Sequence, residues 1–289
     1  MAAGLANTAF ARRPDLGPVT IVAPSGKVRW SPLWQGNPAI ATNPDPATPR
    51  IVCGGGVLPY LDADCPRADG RYVYSTTYRA RDHRTTIRLT DVDRQQGLDA
   101  CATHGQFILV EPYPADRKNQ NRQWPRASWE SCLMLLRSRL ITRARAARVG
   151  CAPGTPLTPP IALLQCAHAD WTPMAPCVSV STPTFLRACG VMASATLVLA
   201  LEGGLQFAAA ALGGPAVILW GGCINSEVLG YPEQVNIVDP SPETPCGSVK
   251  PCDHCNDAWA RLTPELVVDE VIAELDRLAA PRQRTEVVT

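Results

Sequence analysis

The sequence lacks a surplus of charge of one sign: its 27 Lys and Arg residues nearly balance its 26 Asp and Glu residues, for a formal net charge of +1. This balance is unlike the strongly charged, weakly hydrophobic composition of disordered tails. Aromatic residues are few, at 6%, and no basic stripe is interleaved with them, so the pattern does not favour nucleic-acid binding. With 289 residues, 46% of them hydrophobic, the chain is of a size and composition typical of one or two globular domains.

The sequence also has no uninterrupted apolar segment of the kind that crosses a membrane. Its most apolar stretch, residues 191–222, is long enough to do so but contains Glu202, two Gly-Gly pairs and Pro215, which would be costly in a helix surrounded by lipid. We interpret it as a strand, a turn, a helix and a second strand buried in protein. Arg12 and Arg13 follow the apolar N-terminal residues, which is the wrong order for a secretory signal. A cytoplasmic protein with at most peripheral membrane contact is predicted.

Cysteine is too scarce for a disulfide scaffold, because 12 of 289 residues is well below the roughly 8–10% typical of such chains. Most cysteines stand alone and are interpreted as buried thiols in a reducing compartment. Cys246, Cys252 and Cys255 differ, since their C-x5-C-x2-C spacing can bring three thiolates to one tetrahedral metal, with His254 or Cys223 as the fourth ligand. The alternative is a loop of free or pairwise oxidised thiols.

Short apolar runs alternate with helical patterns in the second half of the chain. Strands are predicted at 107–111, 161–165, 178–180, 197–201 and 216–220, and helices at 128–140, 184–192, 204–212 and from 263 onward. This alternation is typical of an α/β protein with a parallel sheet covered on both faces. The first half predicts a helix at 2–13 and strands at 18–23 and 51–53, whereas residues 62–100 show no clear pattern.

The first candidate site is the predicted junction between a strand and a helix at Glu202, Gly203 and Gly204. Paired glycines there let a ligand approach the backbone, and the amide groups of the following helix favour an anion. Glu202 could accept hydrogen bonds from a sugar hydroxyl. The alternative is a tight turn with a solvated glutamate, because the spacing is neither G-x-G-x-x-G nor a P-loop.

The second candidate feature is basic. Nine Lys and Arg residues lie within 117–148, against a single acid. Arg117, Lys118 and Arg122 follow a predicted strand and could neutralise a diphosphate, for which the guanidinium group is suited by its bidentate geometry. The basic residues at 137–148 are interpreted as a solvated helix face.

Three segments together resemble one known family. They are residues 104–129 (HGQFILVEPYPADRKNQNRQWPRASW), residues 182–222 (TPTFLRACGVMASATLVLALEGGLQFAAAALGGPAVILWGG) and residues 246–255 (CGSVKPCDHC). On these segments the chain resembles glycosyltransferase family 9, the ADP-heptose:lipopolysaccharide heptosyltransferase-like enzymes. The likeness covers about 150 residues and is weaker over 18–75.

The resemblance implies a GT-B-like architecture of two Rossmann-like domains facing a cleft. Residues 1–103 would form the acceptor side, and residues 104–289, with the C-terminal helix, the donor side. The implied activity is inverting transfer of a heptose-like sugar from a nucleotide-diphospho-sugar to a bacterial glycan or glycolipid, as in lipopolysaccharide biosynthesis. No cofactor is required for that transfer, so a zinc ion at the cysteines would be structural.

The resemblance also implies roles for individual residues. Arg122 takes the place of the family's lysine and would contact phosphate. Glu202 takes the acidic place, while Gly203 and Gly204 would supply backbone amides to the donor. Thr182, just after a predicted strand, is a further candidate donor ligand.

The chain departs from the family pattern in two places. The family opens with a strand and a Gly-Asp loop that carries the usual candidate base, whereas this chain begins with MAAGLA, similar to the helix after that loop; a truncated N-terminal domain is therefore expected. The base is unassigned, with Asp62, Asp64 and Asp69 available. Gln206 and Phe207 replace a His-bearing pair. The alternative function is a non-catalytic homologue that binds the nucleotide-sugar.

Overall fold

The first part of the fold is a small parallel sheet with one helix packed on it. The computed structural model describes residues 2–53, 59–61, 71–113, 120–147, 160–167, 172–241, 244–248 and 250–280. Its N-terminal elements are helix α1 (Ala2–Arg12) and strands β1 (Thr20–Val22) and β2 (Arg50–Val52). β1 and β2 pair in parallel, and Ala6 of α1 packs with Ile21 and Ile40 in a separate small core. These elements confirm the three predicted in this half.

The second part is a six-stranded, wholly parallel sheet. Its strands are β3 (Phe107–Glu111), β4 (Ala162–Ala167), β5 (Val178–Ser181), β6 (Leu197–Leu201), β7 (Ala216–Trp220) and β8 (Val235–Val238). The spatial order is β5-β4-β3-β6-β7-β8, which numbered from its own first strand is 3-2-1-4-5-6, the Rossmann order. The predicted α/β class is therefore confirmed, and this sheet supplies a Rossmann-like domain.

Helices cover both faces of this sheet. They are α2 (Asp91–Cys101), α3 (Arg126–Ala146), α4 (Phe185–Ala193), α5 (Gly204–Leu212), α6 (Ser226–Leu229), α7 (Asp253–Arg261) and α8 (Pro264–Ala279). One face packs against α2, α4 and α5, and the other against α3 and α8. Buried strands such as Leu197–Leu201 are continuously apolar because both of their faces lie inside this core.

Threonine side chains cap two of the predicted helices, α4 and α8. The Thr184 side chain accepts a hydrogen bond from the Arg187 backbone N–H, and Thr263 caps α8 in the same way. The apolar stretch 191–222 contains β6, α5 and β7, as expected. Among the described helices, none combines the length and apolarity needed to span a bilayer.

The structure also contains elements that the sequence analysis did not predict. α2 lies in the polar region 62–100 and begins with a reciprocal cap between Thr90 and Asp93. It packs so closely on α4 that a Cβ at Gly97 would overlap the backbone of Gly190. β8 and α7 were missed as well, and α3 is longer than 128–140 because Arg and Ala continue a helix well. The domain boundary after residue 103 stays a prediction.

Candidate functional site

The order in which the chain adds strands to the sheet reverses between β3 and β6. From β3 the chain builds outward to β4 and β5, and it then returns to the other side of β3 to form β6, β7 and β8. At such a switch point the loops that leave the two central strands diverge and open a crevice, which is where ligands of these folds bind. Two acids stand at this point, Glu111 at the end of β3 and Glu202 just after β6.

Glu202 is buried and paired with Arg122. Its side chain is 4% exposed, and the Arg122 guanidinium reaches it from a 3-10 turn at Gln120–Arg122. The Arg122 Nε–Glu202 Oε1 distance is 2.5 Å and the Nη2–Oε2 distance is 2.6 Å, which is two-point carboxylate recognition. The alternative of a solvated glutamate is wrong, because the apolar end of β6 buries this side chain.

Burial and pairing act in opposite directions on the two groups. Burial would lower the pKa of Arg122, but the adjacent Glu202 carboxylate outweighs burial and raises that pKa. Burial raises the pKa of Glu202, and the Arg122 guanidinium opposes this shift. Arg122 therefore keeps its positive charge and is held in a fixed orientation by Glu202.

The glycines after Glu202 shape the start of α5. Gly203 has a φ of 147° and a ψ of −155°, a conformation open to glycine but strained for other residues. A Cβ at Gly203 would lie 3.7 Å from Arg122 Nη2, whereas one at Gly204 would meet nothing within 4 Å. The first turn of α5 thus presents backbone N–H groups beside a guanidinium, an arrangement suited to an anion.

These residues share one cleft, which has a volume of about 490 Å³. The size falls within the range of small-molecule sites, about 300–1,000 Å³. Arg122 and Glu202–Gly204 form its polar end, and aromatic side chains from both halves of the chain contribute to its walls. The aromatic residues are Trp34, Tyr60, Tyr72, Phe185 and Phe207.

Gln206 and Phe207 stand where the resembled family has a His-bearing pair. Gln206 is not among the described residues that line the cleft. It is 1% exposed, and its Nε2 donates to the Leu229 carbonyl oxygen at 3.1 Å and to Gln234 Oε1 at 3.3 Å. Gln206 therefore joins α5 to the loop before β8, while the neighbouring Phe207 lines the cleft.

Among the other predicted donor residues, the structure describes Thr182, which does not line this cleft. Thr182 is buried, its hydroxyl lies 3.4 Å from the Ala167 carbonyl oxygen, and it is not among the described residues that line the cleft. Its predicted role gains no support from this geometry. Arg117 and Lys118, and the candidate bases Asp62, Asp64 and Asp69, lie outside the described residues. The basic face of α3 forms surface ion pairs to α8, among them Arg139 Nη2–Asp269 Oδ1 at 3.3 Å.

Glu111 is a buried acid that the sequence analysis missed. It is 4% exposed, and its Oε1 accepts a hydrogen bond from the Cys166 backbone N–H at 3.2 Å. Burial raises the pKa of Glu111 to about 7, although hydrogen bonds from Cys166 oppose the shift. The signal was present, because an acid that ends an apolar run, Phe107–Glu111, stands at the carboxyl end of a buried strand.

The three late cysteines are brought together with a histidine. Ligand atoms of Cys246, Cys252, His254 and Cys255 all lie within 4.8 Å of one another. Cys246 lies in the loop after β8, and the other three stand at the start of α7. This Cys3His group has the donor set that binds a transition-metal ion such as zinc. All described cysteines are free thiols.

The fold and site define an α/β protein with a polar-ended, aromatic-walled cleft at the switch point of a Rossmann-like sheet. No protein-family model matches the sequence, and no curated protein matches it. Solved structures do match.

The chain is similar to the structure of the E. coli ADP-heptose lps heptosyltransferase II, with 16% identity and a TM-score of 0.47, covering 68% of this chain and 54% of that one. It is similar to a glycosyl transferase family 9 protein from Veillonella parvula, with 13% identity and a TM-score of 0.46, covering 66% and 54%. It is also similar to an iron-containing dodecameric heptosyltransferase, TibC, in complex with ADP-D-beta-D-heptose, with 12% identity and a TM-score of 0.44, covering 60% and 46%. The chain spans about half the length of these proteins. The structural neighbours are thus of the family that the sequence segments resemble.

Proposed function

We propose that this chain is the donor-binding part of a glycosyltransferase and that its cleft takes a nucleotide-diphospho-sugar. The observation that carries the proposal is the Arg122–Glu202 pair beside the Gly203–Gly204 turn, at the polar end of the cleft. The diphosphate would lie against Arg122 and the first turn of α5, where a cation and helix amides favour negative charge. The aromatic walls provide faces for the base and the sugar.

Arg122 and the first-turn amides of α5 would also assist transfer of the sugar. In a direct displacement at the anomeric carbon, the acceptor oxygen forms the new bond while the bond to the nucleoside diphosphate breaks. Negative charge then grows on the leaving diphosphate, and positioned donors stabilise it. Glu202 would act by holding Arg122 rather than by contacting the sugar, because Arg122 already occupies both of its oxygens. The acceptor hydroxyl releases its proton to a general base in the same step.

We also propose an acceptor, a donor sugar, a stereochemical course, a compartment and a metal. A bacterial glycan or glycolipid acceptor, a heptose-like sugar and inversion follow from the sequence resemblance. A cytoplasmic location follows from the sequence, in which most cysteines stand alone and are interpreted as thiols of a reducing compartment. The proposed zinc at the Cys3His group would be structural, since the group is separate from the residues that line the cleft.

Calorimetric titration with ADP and with UDP tests the donor site. The parent chain should bind one of the two nucleotides. Gly204→Glu should abolish this binding, because it places a carboxylate among the helix amides, whereas the neutral Gly204→Gln should retain most of it. A Cβ at Gly204 meets no atom within 4 Å, and an acid in the first turn favours the helix, so both variants are expected to fold. Failure of the parent chain to bind either nucleotide would reject the proposal.

A transfer assay separates the enzyme from the non-catalytic alternative. Release of nucleoside diphosphate from a nucleotide-diphospho-sugar, dependent on an added glycan or glycolipid, would support the enzyme. Nucleotide binding without such release would support the alternative of a homologue that only binds the nucleotide-sugar.

A further inference from the structure

We propose that Cys246, Cys252, His254 and Cys255 bind one tetrahedral metal ion of the zinc type, and that this centre positions Arg122 through its neighbour Asn121. The metal site stands on the cluster geometry alone. Its effect on nucleotide binding rests on the proposed function.

The sulfur spacing fits a common metal. Cys246 Sγ lies 3.9 Å from Cys252 Sγ and 3.4 Å from Cys255 Sγ. In a tetrahedral site with metal–sulfur bonds of about 2.3 Å, the sulfur–sulfur edge is about 3.8 Å. These two sulfur–sulfur distances therefore lie within a few tenths of an ångström of the expected value, and the third is below 4.8 Å. A surface pocket that includes Cys246, Cys252 and His254 offers a path for the ion.

The structure favours His254 over Cys223 as the fourth ligand. His254 Nδ1 is buried and has no hydrogen-bond partner among the described residues, while its Nε2 lies 3.4 Å from Thr244 Oγ1. Nδ1 can therefore bind the metal while Nε2–H donates to a hydroxyl, the usual outer-shell support. Gly222 leaves room for this ring, since a Cβ there would lie 2.8 Å from His254 Cε1. Cys223 interacts with the Cys255 thiol, but it is outside the group whose ligand atoms all lie within 4.8 Å of one another, and its Sγ also lies 3.8 Å from the Asn121 carbonyl oxygen.

Asn121 joins the cysteine loop to the cleft. It is 1% exposed, and its Nδ2 donates to the carbonyl oxygens of Ser248 at 2.9 Å and Lys250 at 2.5 Å. Its Oδ1 accepts from the Cys252 backbone N–H at 3.3 Å. Both ends of the Asn121 amide are thus bound by the segment that the metal would organise, and the next residue is Arg122.

The same loop holds a second wall of the cleft. The Tyr72 backbone N–H donates to the Gly247 carbonyl oxygen at 2.6 Å, and Tyr72 lines the cleft. Gly247 has a φ of 68°, and a Cβ there would overlap the Tyr72 backbone. The loop thus contacts two separate chain segments of the site, so its order should control both.

Metal content and a cobalt spectrum test the site itself. The full chain, purified under reducing conditions, should contain or take up about one zinc ion. Co²⁺ added to the chelator-treated protein should give the visible absorption of a tetrahedral thiolate site. His254→Ala and Cys252→Ser should each lose this signal, whereas Cys223→Ser and the partly exposed Cys53→Ser should keep it. No stoichiometric Zn²⁺ uptake and no Co²⁺ band would overturn the metal site, and retention by His254→Ala with loss by Cys223→Ser would overturn the ligand assignment.

Hydrogen exchange tests the positioning role without any nucleotide. Chelation should lower amide protection at residues 120–123 and 71–75 while leaving β3 protected, and Zn²⁺ should restore it. Unchanged protection at 120–123 would overturn the positioning role. Asn121→Ala should keep the metal but lose the same protection at 120–123, and it should weaken binding of ADP, or of UDP if that is the nucleotide bound, by about tenfold or more. If the parent chain binds neither nucleotide, the proposed function fails while the metal and exchange results still decide this inference.

Discussion

The guanidinium of Arg122 and the carboxylate of Glu202 meet through two short hydrogen bonds across 80 positions of sequence. Glu202 is almost fully buried and Arg122 is 22% exposed, and both residues line the cleft. The carboxylate fixes the orientation of the guanidinium, which is the group proposed to contact the diphosphate.

Arg122→Ala is expected to lower the free energy of unfolding by about 3–5 kcal/mol, because it leaves the Glu202 carboxylate buried without a partner. The double variant Arg122→Ala, Glu202→Gln should recover part of this loss, since no unpaired charge remains. Urea unfolding of the parent, the Arg122→Ala chain and the double variant measures this loss and its partial recovery. Arg126→Ala is the matched control, because its ion pair with Glu130 is exposed and should contribute less than about 1 kcal/mol. Equal effects of Arg122→Ala and Arg126→Ala would contradict the prediction.

Gly203→Ala is expected to destabilise the protein by about 1–3 kcal/mol, because a φ of 147° is strained for a residue with a Cβ. Gly204→Ala is the control: its φ lies outside that region, and the added Cβ meets no atom within 4 Å. Thermal unfolding of the two variants compares them directly. A Gly203→Ala chain as stable as Gly204→Ala would show that the turn relaxes freely.

Gly97→Ala is expected to disrupt the contact between α2 and α4. The added methyl group would overlap the Gly190 backbone, and relief of such overpacking typically costs about 1–3 kcal/mol. Gly214→Ala is the comparison, since its nearest neighbour would be 3.9 Å away. Hydrogen exchange should show the loss of protection concentrated in α2. Uniform loss through the sheet would argue against a local helix contact.

Glu111→Gln is expected to flatten the pH dependence of stability. Burial raises the pKa of Glu111 to about 7, whereas an unfolded glutamate titrates near 4.3. Between these pH values the folded chain binds more protons than the unfolded one, so the free energy of unfolding falls as pH rises, by about 3–4 kcal/mol in total. Above about pH 7 the curve levels off.

Urea unfolding of the parent and Glu111→Gln chains from about pH 3.5 to about pH 8, a range that brackets both titrations, measures how the free energy of unfolding of each chain depends on pH. Glu130→Gln provides the control, because the Glu130 side chain is 43% exposed and its removal should leave the slope unchanged. Parallel curves for the parent and the Glu111→Gln chain would contradict the prediction.

Local sequence alone determined most of the second half of the fold. β3, β6, α5 and β7 have the predicted bounds, because each is a short apolar run ended by Gly, Pro or a cap, and such signals act over a few residues. Polar α2 and the short β8 were not predicted, because their own residue patterns are weak. Packing and strand pairing with other elements provide most of their support.

Only the tertiary structure decided which distant residues meet. The sequence marked Glu202, Arg122 and the cysteines as candidates, but strand order placed the first two in contact, removed Thr182 from the cleft and added Glu111 to the switch point. It also placed a His254 ring nitrogen and the three cysteine sulfurs within 4.8 Å of one another. Hydrophobic periodicity in the sequence indicates which face of an element is buried. Contacts between elements depend on the order of the strands in the sheet and on the helices that cover it.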